Sequence, residues 1–278
     1  DGIASRGLGD VYKRQQMYGA TTVEYRLDPT DGWRIDLEDI KTKMDESVRL
    51  LVLINPNNPT GNVATADEID SLIQIAEQWP KCTIIADEIY DGLDFTDKFV
   101  SVASRSSKVP VLALNGVSKV YFAPGWRIGY MAWHDPSGKL GLVRDGVERL
   151  LRSRLCASTP AQFGYLAGLT DDSEWLKGHR SSIKERLDYC IERISEIDGI
   201  ECEPPGGAFY LFVRITDERL SSDDKKFVLQ LLEEKHVLVV HGSGFSPEYG
   251  RGHFRMVCLP TIEILDEAFN RISDFLGG

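Results

Sequence analysis

The chain has 278 residues, enough for one large or two ordinary domains with a substantial core. Its 32 Lys and Arg against 43 Asp and Glu give a net charge of -11, which argues against a nucleic-acid groove or an anionic membrane surface as the main partner. The five cysteines form no Cys-x-x-Cys pair, the five histidines show no ligand spacing, and no apolar run reaches the roughly 18–20 residues of a membrane helix. Reduced thiols in a cytoplasmic protein, without a disulfide frame or a metal site, are therefore expected.

Residues 1–15 (DGIASRGLGDVYKRQ) show no clear period and lack the apolar core of a signal peptide. They are set aside as a segment outside the fold, either an assembly artefact or a linker. From residue 16 the pattern is orderly. Thr21 to Arg26 reads as a strand and Asp36 to Met44 as a short helix. Leu50 to Ile54 is a continuous apolar run, as in a strand covered on both faces. It stops at Asn55-Pro56-Asn57-Asn58-Pro59-Thr60-Gly61, where prolines and glycine break regular structure. Ala66 to Gln78 places Ile69, Leu72, Ile73 and Ala76 on one helical face. Thr83 to Ala86 and Val111 to Leu114 are further buried strands.

A long amphipathic helix is predicted for Ser173 to Ile197. Beyond it come a strand at Gly207 to Val213, a helix at Asp223 to Lys235, strands at Val237 to Val240 and His253 to Leu259, and a helix at Ile262 to Phe275. Strands alternating with helices predict an α/β domain with a mostly parallel sheet over 16–182, followed by a smaller α+β domain over 183–278. In such sheets ligands bind beyond the carboxyl ends of the strands, so Asn58, Asp87 and Lys119 are expected to converge in one crevice.

Several side chains there invite chemistry. Lys119 follows a buried strand and precedes Gly and Pro punctuation. A desolvated lysine is a natural Schiff-base former, against the bland reading of a solvated charge. Arg127 lies eight positions on, between Gly125 and Gly129, and its fork suits phosphate. Ser118 offers a hydroxyl to the same anion or is a turn residue. Asp87 at a strand tip is either a helix cap or the partner of a protonated ring nitrogen, while Tyr90 and Asn58 are candidate donors to a ring oxygen. An amine beside a phosphate anchor points to pyridoxal phosphate as cofactor. Arg255 sits on an otherwise apolar strand face with Val257 and Leu259, so it calls for a partner, a substrate carboxylate or a structural acid.

Together, Asn58-Pro59-Thr60-Gly61, Asp87-x-x-Tyr90, Ser118-Lys119, Arg127 and Arg255 resemble the class I/II aminotransferases of pyridoxal phosphate fold type I. Leu114 to Tyr130, Arg154 to Gln162, Gly206 to Phe212 and above all Val237 to Pro260 are similar to the alanine aminotransferase branch, archaeal and bacterial type. The resemblance implies a three-layer, mostly parallel pyridoxal-phosphate-binding domain, incomplete at its N-terminus, plus the smaller C-terminal domain. It implies ping-pong transamination between an L-amino acid, alanine, and 2-oxoglutarate. Lys119 would be the internal aldimine and proton shuttle, Asp87 would meet the pyridine nitrogen, and Tyr90 and Asn58 the phenolic oxygen. Arg127 and Ser118 would hold the phosphate, and Arg255 the α-carboxylate.

The sequence departs from the family in two ways. Gly116 stands where many relatives carry a serine three before the lysine. The family's N-terminal portion is also absent, on the order of a hundred residues, so a fragment of a longer, homodimeric enzyme is expected. The rivals are a C–S lyase or another enzyme of the same fold, an aminotransferase-like sensor domain of a transcription regulator, and an inert truncation product.

Overall fold

The computed structural model describes residues 18–170 and 174–277, the side chain of Arg154 excepted. The set-aside segment 1–15 lies outside the described residues. The described chain divides into two compact units. One comprises 37–56 and 63–180; the other comprises 18–36, 57–62 and 181–277.

In the first unit, four strands carry the expected apolar runs: β3 (Leu50–Ile54), β4 (Thr83–Asp87), β5 (Val111–Gly116) and β6 (Gly129–His134). They form one sheet in the order β3-β4-β5-β6, with β3, β4 and β5 parallel and β6 antiparallel to β5. The fold is thus α/β with a mixed, mostly parallel sheet. Helix α1 spans Leu37–Lys43 and α2 spans Ala66–Glu77. Thr65 opens α2 with a capping box: it accepts the Glu68 N–H while Glu68 accepts the Thr65 N–H at 2.9 Å. Ile69, Leu72 and Ala76 are buried on its inner face. A one-turn helix α3 (Val102–Arg105), then α4 (Gly141–Arg154) and α5 (Thr159–Thr170), complete the unit. Strand β6 and helices α4 and α5 were not read from the sequence. α5 is apolar around its whole circumference, so it lacks the one-sided stripe that marks a surface helix. Helix α6 (Glu174–Ser195) runs from the first unit into the second.

The second unit begins with a hairpin of β1 (Leu27–Asp28) and β2 (Arg34–Ile35). The strand expected at Thr21 to Arg26 is not formed, and the pairing lies just beyond it. The Asp28 carboxylate accepts the Thr30 N–H at 2.9 Å and its hydroxyl at 2.7 Å, which closes the turn there. A four-stranded antiparallel sheet follows, in the order β7-β8-β10-β9. Its strands are β7 (Ile200–Glu201), β8 (Tyr210–Ile215), β9 (Val240–His241) and β10 (His253–Val257).

Three of these differ from expectation. β8 starts at Tyr210, not Gly207, because buried Ala208 takes a left-handed conformation at φ 61° that a ladder cannot accommodate. β9 is only two residues, pairing with Phe254 and Arg255, so Val237 to Val239 lie outside the ladder. β10 ends at Val257, two residues short of Leu259, although the Cys258 N–H still bonds the Phe209 carbonyl at 3.0 Å, the next pair in the same register. Helices α7 (Asp224–Lys235) and α8 (Ile262–Leu276) complete the unit, with Phe227, Phe254 and Phe269 fully buried. Among the described residues no helix is long and apolar enough to cross a membrane. No cluster of His, Cys, Asp and Glu there would hold a metal ion.

Candidate active site

The first unit carries Asp87, Tyr90, Ser118, Lys119 and Arg127; the second carries Asn58 and Arg255.

Asp87 is the last residue of β4, in register with Leu114 of β5 and Ile54 of β3. It caps no α-helix. Its carboxylate accepts the Ile89 N–H at 3.3 Å. Neighbouring Glu88 takes the capping work, accepting the Val102 N–H and the Ser101 hydroxyl at 2.9 Å each. Burial lifts the Asp87 carboxyl above the ordinary aspartate range, opposed by the Ile89 N–H and by the positive charge of Lys119. Burial likewise raises Glu88 and Asp91. Tyr90 is buried, and the Lys119 Nζ stands 5.7 Å from the centre of its ring.

The loop that carries Lys119 is held from both sides. Val117 and Ile128, flanking it in sequence, are buried against Tyr165. The Ala123 N–H closes on the Val117 carbonyl at 3.1 Å, and the Phe122 N–H on the Lys119 carbonyl at 3.3 Å. Asn115 links the loop to the turn after β4: its Nδ2 donates to Asp91 at 2.8 Å, and its Oδ1 accepts the Gly116 N–H at 2.7 Å. Asp87 and Lys119 thus stand at the ends of neighbouring parallel strands whose loops are tied together. Ser118 is half-buried beside Lys119.

Gly116 and Gly129 face each other across β5 and β6. A Cβ on Gly116 would come within 2.8 Å of the Ile128 carbonyl and 3.0 Å of the Gly129 Cα. The missing serine is therefore a steric matter, since this close approach leaves no room for any side chain. Arg127 is exposed, in a left-handed conformation at φ 54°, with its Nη1 donating to the Pro124 carbonyl at 2.7 Å.

In the second unit, the Arg255 Nη1 donates to the Asn58 Oδ1 at 2.8 Å. That bond sets the Asn58 amide, turning Oδ1 to the arginine and making Nδ2 the donor edge. Gly61, in the same turn, has φ 72°, and its N–H reaches the Asn57 carbonyl at 2.9 Å. The Arg255 guanidinium lies 4.4 Å from the Tyr210 ring and 4.7 Å from the Phe245 ring. Neither aromatic was singled out from the sequence. The only hint was an aromatic inside each of Gly206 to Phe212 and Val237 to Pro260. In this structure Arg255 thus meets the Asn58 amide and two ring faces.

The donor set fits pyridoxal phosphate. It comprises an amine for an aldehyde, a buried carboxyl for a pyridinium, a phenol for a phenolate, and a guanidinium with a hydroxyl for a phosphate. The sequence matches the aminotransferase class I and II family over residues 11–272. The chain belongs to that family. It is 35% identical over 267 residues to the alanine aminotransferase of Mycobacterium tuberculosis, spanning 93% of this chain and 61% of that protein. It is 35% identical over 262 residues to the glutamate-pyruvate aminotransferase AlaA of Escherichia coli K12, 92% and 64% respectively. The alanine aminotransferase of Pyrococcus furiosus superposes with a TM-score of 0.91 at 45% identity, covering 95% of this chain and 66% of that one. The aspartate aminotransferase of Thermotoga maritima superposes with a TM-score of 0.82 at 31% identity. The chain therefore spans a little under two thirds of the relatives it matches.

Proposed function

We propose that the protein to which this chain belongs transfers an amino group from an L-amino acid, alanine, to 2-oxoglutarate in a ping-pong reaction. Two similar proteins named for alanine or glutamate-pyruvate transamination, and the 45% identity to the Pyrococcus furiosus structure, support alanine over aspartate. The observation that carries the reading is the placement of Asp87 and Lys119 at the ends of adjacent parallel strands, with the Lys119 charge acting on a buried carboxyl.

When bound, pyridoxal phosphate supplies an aldehyde that condenses with amines and a ring that withdraws electrons from the attached carbon. Lys119 would hold the cofactor covalently between turnovers, and its Nζ, once freed, would take the proton from the substrate Cα and deliver it to the cofactor, the reverse transfer following in the second half-reaction. Asp87 keeps the pyridine nitrogen protonated. Tyr90 and the Asn58 Nδ2 donate to the phenolic oxygen, and the Arg127 fork with the Ser118 hydroxyl takes the phosphate. Arg255, steadied by Asn58, receives the α-carboxylate. The oxo acid leaves, and a second oxo acid reverses the sequence.

The reading extends to a cytoplasmic homodimer. Support for association comes from apolar side chains exposed on and beside α4 and α5, among them Leu142, Leu150, Leu155, Phe163 and Leu166. Light scattering that finds only monomer removes the dimer. Borohydride reduction of the cofactor-loaded protein followed by peptide mapping should label Lys119, and a label on another lysine refutes its role. A donor other than alanine preferred by more than tenfold refutes the alanine assignment.

A further inference from the structure

Arg255 is held by more than Asn58, and the contacts reach back to the start of helix α7. Phe245 closes a tight turn that follows β9. Its N–H bonds the Gly242 carbonyl at 2.8 Å, and Gly242 to Gly244 form a single 3-10 turn. Asp224 opens α7 and is 3% exposed. It does not cap its own helix, because Asp223 does so by accepting the Lys226 N–H at 2.9 Å. The Asp224 Oδ2 instead accepts the Ser243 backbone N–H at 2.6 Å, at the centre of the turn. His241 lies 3.9 Å from the same oxygen, and its Nδ1 is 2.9 Å from the Ser243 hydroxyl. The far end of the turn is pinned as well: the Ser246 hydroxyl donates to Glu24 at 2.5 Å, and the Gly250 N–H bonds the Ser246 carbonyl at 3.0 Å.

A buried carboxylate is costly to retain unless it holds something in return. What this one holds is the segment that sets the Phe245 ring 4.7 Å from the Arg255 guanidinium, with Tyr210 at 4.4 Å. Aromatic faces confine a guanidinium to a plane while leaving its N–H edge for a carboxylate.

We propose that Asp224 is a positioning residue for carboxylate recognition. Through the Ser243 N–H it fixes Phe245, and Phe245 fixes the plane in which Arg255 presents its donors. This rests on the reading of Arg255 as the carboxylate receptor. It adds a chain of residues, Asp224, Ser243 and Phe245, that acts through Arg255.

The test is the binding of propanoate, with neutral propanamide as control, to the full chain by NMR titration. Arg255→Lys reports on the underlying reading, which requires that it lower propanoate affinity about tenfold or more and leave propanamide unchanged. Asp224→Ala removes the acceptor and should lower propanoate affinity about 3–10-fold. Asp224→Asn keeps an oxygen for the Ser243 N–H and should restore affinity to about twofold of the parent. Phe245→Leu retains apolar bulk without a ring face. It should match Asp224→Ala, and the two together should be no worse than either alone. Parental propanoate affinity in Asp224→Ala, with affinity lost in Arg255→Lys, overturns the positioning role and leaves Arg255 as receptor. Unchanged affinity in Arg255→Lys overturns both. If Asp224→Ala does not fold, Phe245→Leu decides, and parental affinity there overturns the proposal.

Discussion

The Arg255 Nη1 donates to the Asn58 Oδ1 at 2.8 Å, joining two residues 197 positions apart in sequence. Asn58 is 6% exposed, so little water is at hand to replace the bond. It couples the turn after β3 to β10 and orients both partners at once. The asparagine gains a defined donor edge and the arginine a defined plane.

Asn58→Ala should therefore harm substrate capture. A hydrogen bond to a charged group is worth about 1.5–3 kcal/mol, or roughly 10–150-fold in kcat/KM. KM for the amino acid should carry the larger share. Steady-state kinetics against alanine checks this, and a pure kcat effect contradicts it.

Asp87→Asn should separate stability from cofactor binding. Burial raises the folded-state pKa of Asp87, so across the carboxylate range the folded chain binds more protons than the unfolded one. Stability from this group is greatest at acid pH and falls as pH rises toward the raised value. Asn lacks that titration. The cofactor-free variant should melt higher than the parent at neutral pH, with the gap closing below the ordinary aspartate pKa. Its affinity for pyridoxal phosphate should fall about tenfold or more, as expected when a charge-assisted bond is lost. Thermal melts across pH and a cofactor titration give the two readouts.

Tyr90→Phe removes only the hydroxyl and leaves the ring beside Lys119. Stability should change by about 1 kcal/mol or less. The visible absorbance of the cofactor-loaded protein should titrate at higher pH, because one donor to the phenolic oxygen is gone. An unshifted titration removes Tyr90 from that role.

Gly116→Ser restores the residue many relatives carry, but here a Cβ meets backbone at 2.8 and 3.0 Å. The variant should lose about 1–3 kcal/mol, as overpacked sites do, and gain no phosphate affinity. Urea denaturation and a phosphate-competition titration check both halves.

Much of the first unit was legible because its signals are local. Apolar runs such as Leu50 to Ile54 and Thr83 to Ala86 had only one reading once prolines and glycines bounded them. Helix α2 carried both its apolar face and its capping box in a dozen residues. Asp87, Ser118 and Lys119 were findable because each ends or follows a strand that can be read from its neighbours, and Arg127 because it lies eight beyond Lys119 between two glycines. The stretch Thr21 to Arg26 misled, because extended-looking residues make a strand only where a partner strand exists. Helix α5 was missed because a helix apolar all round shows no period.

The sequence by itself determined the α/β alternation, the order of the strands along the chain and the chemical types at the site. These follow from propensity, periodicity and punctuation, which act between near neighbours. Only the tertiary structure decided that β6 runs against its neighbours and that Gly116 admits no side chain. It alone set Arg255 on an amide and against two rings, and turned the Asp224 carboxylate to a backbone N–H 19 residues away. Each depends on which distant backbone comes close, and that is fixed by the packing of the whole unit rather than by any run of adjacent residues.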